Sequence, residues 1–166
     1  MKLSHLSLIA CLAISGHVSA LSTDSAQQIY LNADSQLLDM KSNQMTLLGN
    51  VNLKQGSINI NADKVIVTRD AKDGSIQEIE GYGNLATFSQ LTDDGKTLYG
   101  EAKELYYKLA DDQLTMIDQA MLSQDDSIIR GTKIRYKISS QKLMADGNSN
   151  ERVSTVLQPQ ATTTQE

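Results

Sequence analysis

The stretch YLNADSQLLDMKSNQMTLLGNVNLKQGSININADK, residues 30–64, returns as YGEAKELYYKLADDQLTMIDQAMLSQDDSIIRGTK at 99–133, with a constant offset of 69 and no gap. Tyr30 matches Tyr99, Ala33 matches Ala102, Gln44 matches Gln113 and Thr46 matches Thr115. Further along, Leu53 meets Leu122, Gln55 meets Gln124, Ile60 meets Ile129 and Lys64 meets Lys133. Apolar positions also exchange in kind: Met40 for Leu109, Met45 for Leu114, Leu47 for Met116, Val65 for Ile134. An internal repeat is one structural unit used more than once. The matches fall on alternating residues, the two-residue period of a strand with one buried face. The repeat therefore predicts a β architecture built twice over, with one continuous apolar interior.

The rest of the chain reads the same way. Turn signals recur at Ser42-Asn43, Gln55-Gly56-Ser57, Asp73-Gly74, Asp93-Asp94-Gly95, Ala110-Asp111-Asp112, Asp125-Asp126 and Asp146-Gly147-Asn148. Asp-Gly supplies the positive φ angles that tight hairpins need. Between the turns lie alternating segments such as Ile29-Leu31-Ala33, Val51-Leu53, Ile58-Ile60-Ala62, Val65-Val67, Leu105-Tyr107-Leu109 and Ile134-Tyr136-Ile138. Short strands at this spacing predict an all-β sandwich, barrel or jelly roll. Leu31-Asn32-Ala33-Asp34 also returns as Ile60-Asn61-Ala62-Asp63, which suggests a rung of roughly 30 residues laid down four or five times.

The first twenty residues stand apart from that pattern. Lys2, an apolar stretch from Leu6 to Ile14 and the small residues Val18-Ser19-Ala20 have the layout of a secretory signal peptide cleaved near Ala20. The stretch is shorter than the ~20 apolar residues of a membrane span. A lipoprotein reading of Leu8-Ile9-Ala10-Cys11 leaves only a very short apolar segment upstream and a second one unexplained. The expected organisation is thus a signal peptide at 1–20, one domain at 21–158 and a structureless tail at 159–166. Removal of 1–20 takes both histidines and the only cysteine, and leaves 20 acidic against 14 basic side chains, a net charge of −6. Disulfides are then excluded and stability must come from an apolar core. The acidic balance argues against a nucleic-acid partner, since phosphate binding needs clustered Lys and Arg.

The mature chain offers little for catalysis. It has neither His nor Cys for acid–base, nucleophilic or zinc chemistry. It has no glycine-rich phosphate loop. Carboxylate pairs such as Glu78/Glu80, Asp93/Asp94 and Asp111/Asp112 sit in turns or on polar faces, where solvating a surface is the ordinary role. Asp125-Asp126 lacks the patterned loop of calcium sites. No catalytic residue, metal site or cofactor is expected. The apolar face has two readings: a filled sandwich core, or a slot between splayed sheets for a long apolar ligand. The edges also have two. Pro159, the sole proline, guards neither the strand at 28–33 nor that at 152–157. Either charges protect these edges, or they are made to pair with another chain.

GNVNLKQGSININADKVIV (49–67), GYGNLATF (81–88), RVSTVLQPQ (152–160) and the opening IYLNAD occur together in one order over nearly the whole mature chain. In these motifs the sequence resembles the OstA-like family of periplasmic lipopolysaccharide-export proteins. One departure concerns local turn geometry: Asp118-Gln119 stands where the family has Gly-Asn, as at Gly49-Asn50. The resemblance implies a slightly twisted, antiparallel β jelly roll, open along one side, that binds lipopolysaccharide in the periplasm and stacks head-to-tail through its sheet edges. It further implies LptC at the N-terminal edge and LptD at the C-terminal edge, with the driving ATPase elsewhere. Acyl burial, at about 0.8 kcal/mol per CH₂, then carries recognition, because the chain's negative charge repels the ligand's phosphates. Matched position by position, Ile29, Leu31, Phe88, Tyr107 and Leu109 are the expected groove lining. Gln28, Ile29, Tyr30, Leu31, Val153, Thr155 and Val156 are the expected edge residues. A structural adaptor that joins envelope complexes without binding lipid is the alternative.

Overall fold

The computed structural model describes residues 24–158; the expected signal peptide and the tail at 159–166 lie outside them. A short 3-10 turn (Asp24–Ala26) leads into ten strands: β1 (Ile29–Asn32), β2 (Ser35–Asp39), β3 (Gln44–Gln55), β4 (Ile58–Arg69), β5 (Ile76–Leu91), β6 (Thr97–Lys108), β7 (Gln113–Gln124), β8 (Ser127–Lys137), β9 (Lys142–Asp146) and β10 (Ser154–Val156). They form one antiparallel sheet in the order β1-β3-β4-β5-β6-β7-β8-β10, with β2 also on β3 and β9 also on β8. The two ends of the sheet do not pair with each other, so it is open. The expected all-β, antiparallel, open architecture is the one observed.

The offset of 69 maps β3 onto β7 and β4 onto β8, and the broken pair β1–β2 onto the unbroken β6. The shorter period is a hairpin rung: β1–β2 with β3, β4 with β5, β6 with β7, and β8 with β9–β10. Strands are longer than the turn spacing suggested, because each long strand bends in its middle without ending. The register shifts at Leu48/Val51, Asn61/Lys64, Tyr82/Ala86, Glu101/Glu104 and Ile117/Ala120, one interruption beside the next across the sheet. Bulges bend a strand and sharpen its twist. Aligned in a row, they fold the sheet along a single line into two half-sheets, with the apolar faces turned inward.

Sequence marks this corner in both strand directions. Ala33, Ala62, Ala102 and Gly131 put small residues at it in one direction; Gly49-Asn50, Gly83-Asn84, Asp118-Gln119 and Gly147-Asn148 mark it in the other. A polar contact clips each rung there. Asn50 Nδ2 donates to Asp34 Oδ2 at 2.8 Å, the Asn84 amide to Asp63 Oδ2 at 3.2 Å, and Thr132 Oγ1 to the Asp146 carbonyl at 3.1 Å; Lys103 pairs with Asp118 at 3.1 Å. The departure at Asp118-Gln119 leaves the backbone unchanged in kind, with φ of 62° and 56° against 78° and 44° at Gly49-Asn50. Asp and Asn tolerate the left-handed region better than most residues. The exchange is compensated across the corner, Asp34 beside Gly49 becoming Lys103 beside Asp118.

Candidate functional site

The inward faces of both half-sheets merge into one apolar cluster. Leu53, Ile58, Ile60, Phe88 and Leu122 come from the half nearer β1 and β10; Leu47, Val65, Leu105, Leu114, Met116 and Ile134 come from the half nearer β2 and β9. Strands β3 and β7 keep one alternation throughout, whereas β4, β5, β6 and β8 change inward parity at the corner, as from Ile58 and Ile60 to Val65 and Val67, and this slip keeps the face continuous from the first rung to the last. Phe88 and Tyr136 meet across the fold with ring centroids 6.1 Å apart. Their tilted rings fall within the range of favourable aromatic pairing.

Opposite the corner, the two lips of the folded sheet meet along a seam that is polar and buried. The Tyr107 hydroxyl donates to Gln55 Oε1 at 3.2 Å, and the Tyr136 hydroxyl to Gln90 Oε1 at 3.2 Å. Each bond joins strands three places apart in the sheet, β3 to β6 and β5 to β8. Gln55 Nε2 is held by the carbonyls of Ser25 and Gln27, at 2.9 and 3.1 Å, which ties the N-terminal turn to the same lip. Asp24 is buried beside it and accepts from the amide and hydroxyl of Ser57. Burial, reinforced by the charges of Asp112 and Asp93, pushes the Tyr136 phenol up to about 12. Burial does the same to Tyr107, with Asp112 and Asp24 adding to it. Asp112 accepts from the Ser139 amide at 2.7 Å through Oδ2, while its Oδ1 is buried without a partner among the described residues.

At the C-terminal end the interior opens. A cleft of about 200 Å³ is lined by Leu98, Leu122, Ile129, Tyr136, Leu143 and Leu157, among others. Gln124, the repeat counterpart of Gln55, has no tyrosine opposite it and donates instead to Thr92 Oγ1 at 3.0 Å.

The sequence-predicted residues fall into two groups. Ile29 and Leu31 share the inward side of β1 and are partly buried, and Leu109 packs against the core from the turn after β6. Phe88 and Tyr107 lie deeper, each 1% exposed. Tyr107 and Leu109 are both inward, as alternation requires. The seam glutamines were missed. Their signal was the match of Gln55 with Gln124 at strand ends, where glutamine reads as a turn residue.

β1 pairs with β3 on one side only, through Ile29↔Gln55, Tyr30↔Lys54, Leu31↔Leu53 and Asn32↔Asn52. β10 likewise pairs only with β8, through Ser154↔Arg130, Thr155↔Ile129 and Val156↔Ile128. Among the described residues both outer edges are free. Gln28 and Val153 flank the two strands without belonging to them. Exposed apolar side chains gather at these ends: Tyr30, Leu37, Leu38 and Met40 at one, Val153, Val156 and Leu157 at the other. Of the carboxylates considered for chemistry, Glu80 within β5 accepts from the Tyr82 hydroxyl and Asp112 from the Ser139 amide. Asp94 accepts from Thr92, and Asp125 pairs with Lys96 at 2.7 Å.

Comparison with known proteins gives the same architecture. Residues 30–142 match the family model described as LptA/(LptD N-terminal domain) LPS transport protein. The chain is 44% identical over 148 residues to the lipopolysaccharide export system protein LptA of Escherichia coli K12, covering 89% of this chain and 80% of that protein. It is 43% identical over 141 residues to LptA of Haemophilus influenzae, covering 84% and 82%. The crystal structure of LptH, described as the LptA-homologous periplasmic component of the lipopolysaccharide transport device of Pseudomonas aeruginosa, superposes with a TM-score of 0.76. The identity there is 26%, and the match covers 82% of this chain and 99% of that one. With a matching model across most of its strands and relatives above 40% identity along most of its length, the chain belongs to the LptA/LptD N-terminal domain family of lipopolysaccharide transport proteins.

Proposed function

We propose that this protein carries lipopolysaccharide through the periplasm, its acyl chains in the apolar interior and its headgroup at the seam, as one segment of a bridge between the two membranes. The observation that carries this is the open sheet itself. A continuous apolar face runs through every rung, ends in an apolar cleft at the C-terminal side, and is flanked by two unpaired edge strands. A closed sandwich would have no use for the last two features. Ile29, Leu31, Leu109 and the deeper Phe88 and Tyr107 are the proposed contacts for acyl chains. On this reading the β1 edge, with Gln28, Ile29, Tyr30 and Leu31, receives LptC or a preceding copy. The β10 edge, with Val153, Thr155 and Val156, receives a following copy or the N-terminal domain of LptD. The family model that matches this chain also describes the N-terminal domain of LptD, which supports a joint between like sheets.

Binding of a fluorescent lipid A analogue by purified protein tests the reading. Saturable binding, competed by unlabelled lipopolysaccharide and untouched by EDTA, is the expected result. The depth at which Phe88 and Tyr107 lie favours a second reading, an adaptor with a filled core that joins envelope complexes without lipid. It predicts no lipid A binding by a protein that still associates through its edges.

A further inference from the structure

A filled interior and a lipid cargo are reconciled if the fold opens along one line, and the seam is where covalent continuity is absent. The corner is crossed by long unbroken strands, β3 through β8. The lips opposite are joined by side-chain bonds, and the buried ones run between like partners: Tyr107 with Gln55 and Tyr136 with Gln90, both at 3.2 Å and both spanning three strands. The geometry points to these two pairs as a latch that holds the seam shut without cargo. When acyl chains enter, the same four polar groups are handed to the hydroxyls and amides of an acylated sugar headgroup. The inference rests on the lipid-carrying reading above and adds to it a location and an order of events.

Several features fit such a device. Neutral tyrosine–glutamine bonds contribute little net stability, so two of them can be exchanged for similar bonds to a ligand at little net cost. An ion pair buried at the same place would be far costlier to break. The pairs recur by rung, so a cargo advancing along the sheet meets the same contact again. A buried polar group left without a partner is costly, which makes a headgroup rich in donors and acceptors the favoured occupant once the lips part. A free fatty acid cannot repay the broken bonds. Asp112 Oδ1, buried and unpartnered in the lip whose charge reaches both tyrosines, offers one more acceptor to such a headgroup.

Cys11 lies outside the described residues, which hold no cysteine, so the seam can be probed with introduced ones. Asp93→Cys and Asp111→Cys place exposed thiols on the turns of the opposing lips, and neither side chain is hydrogen-bonded to a latch residue. Spin labels there should report a narrow distance distribution in the unliganded protein. It should broaden and lengthen with the lipid A analogue, and also, without lipid, in the Tyr107→Phe/Tyr136→Phe background. That background should take up the analogue about threefold to tenfold faster per bond removed, with an unchanged circular dichroism spectrum. A bis-maleimide bridge between the two thiols should abolish uptake. Unchanged label distances in the double phenylalanine protein would overturn the latch, as would full-rate uptake by the bridged protein. If the unbridged protein binds no lipid A at all, the transport reading fails instead, and the latch is decided by the label distances alone.

Discussion

Single residues set the corner on which the fold turns. Gly49 has φ of +78°, and a Cβ there would collide with the Asp34 carboxylate. Gly49→Ala should therefore lower stability by about 1–3 kcal/mol, the range for a strained backbone held in place by its surroundings. Adding Asp34→Gly should restore only the steric part, leaving the left-handed penalty behind; urea unfolding of the single and double variants separates the two. Asp118→Gly at the equivalent place trades an exposed ion pair worth about 0–1 kcal/mol for relief of φ at 62°, so its midpoint should move little. At the seam, Tyr136 titrates at about 12 when folded, against about 10 in the unfolded chain. A raised value favours the folded state while the phenol is protonated. Its stabilisation is whole below pH 10 and is lost as pH climbs from 10 to 12. Tyr107, also raised, behaves alike. Alkaline unfolding should begin above pH 10, and should start at higher pH in the double phenylalanine variant; a transition that stays put would mean that neither hydroxyl is sealed from water.

At the level of elements, position decides what a charge does to the interior. Phe88 is enclosed within β5, whereas Leu109 sits in the turn after β6 and only leans on the core. Phe88→Asp buries an unpaired carboxylate and should unfold the protein outright. Leu109→Asp should keep the circular dichroism of the parent while weakening lipid A binding at least tenfold. A folded Leu109→Asp protein with parental affinity would remove this turn from the lipid path. The contrast also shows how far the sequence could be read. Inward positions were legible because alternation holds within each half-strand: odd-numbered Met45, Leu47, Val51, Leu53 and Gln55 all face in along β3, while β4 changes from even-numbered Ile58 and Ile60 to odd-numbered Val65 and Val67 at its bulge. The repeat gave the correspondence of β3 with β7 and of β4 with β8. The corner was harder to see, since the slip in period between Ala62 and Val65 or between Ala102 and Leu105 reads as a gap between two short strands, and Gly-Asn there resembles an ordinary hairpin turn. The seam was invisible for a different reason. Gln55 and Tyr107 lie 52 residues apart and meet only because the folded sheet is staggered by three strands.

The whole molecule is an open stack of rungs with unlike ends, and this sets the geometry expected of any association between copies. A contact between the β1 edge of one copy and the β10 edge of the next joins different surfaces, so it repeats without closing unless the rotation allows a ring. The exposed apolar groups differ as well, Tyr30, Leu37 and Leu38 at one end and Val153, Val156 and Leu157 at the other, which favours unlike ends meeting. Light scattering across a concentration series should show a mean mass that rises steadily, with no plateau at a dimer. Proline tells edge pairing from casual adhesion. Successive backbone N–H groups in a strand point to opposite sides, so of Thr155→Pro and Val156→Pro one removes a donor facing β8 and the other a donor facing the free edge. Both should leave the core folded, because β10 is three exposed residues at the rim. The variant that blocks the free edge should stay monomeric at concentrations where the parent has grown, while the other keeps some association. A parent that remains monomeric throughout would leave a bridge of this sheet without a joint. Two proline variants that both assemble as the parent does would move the joint away from β10.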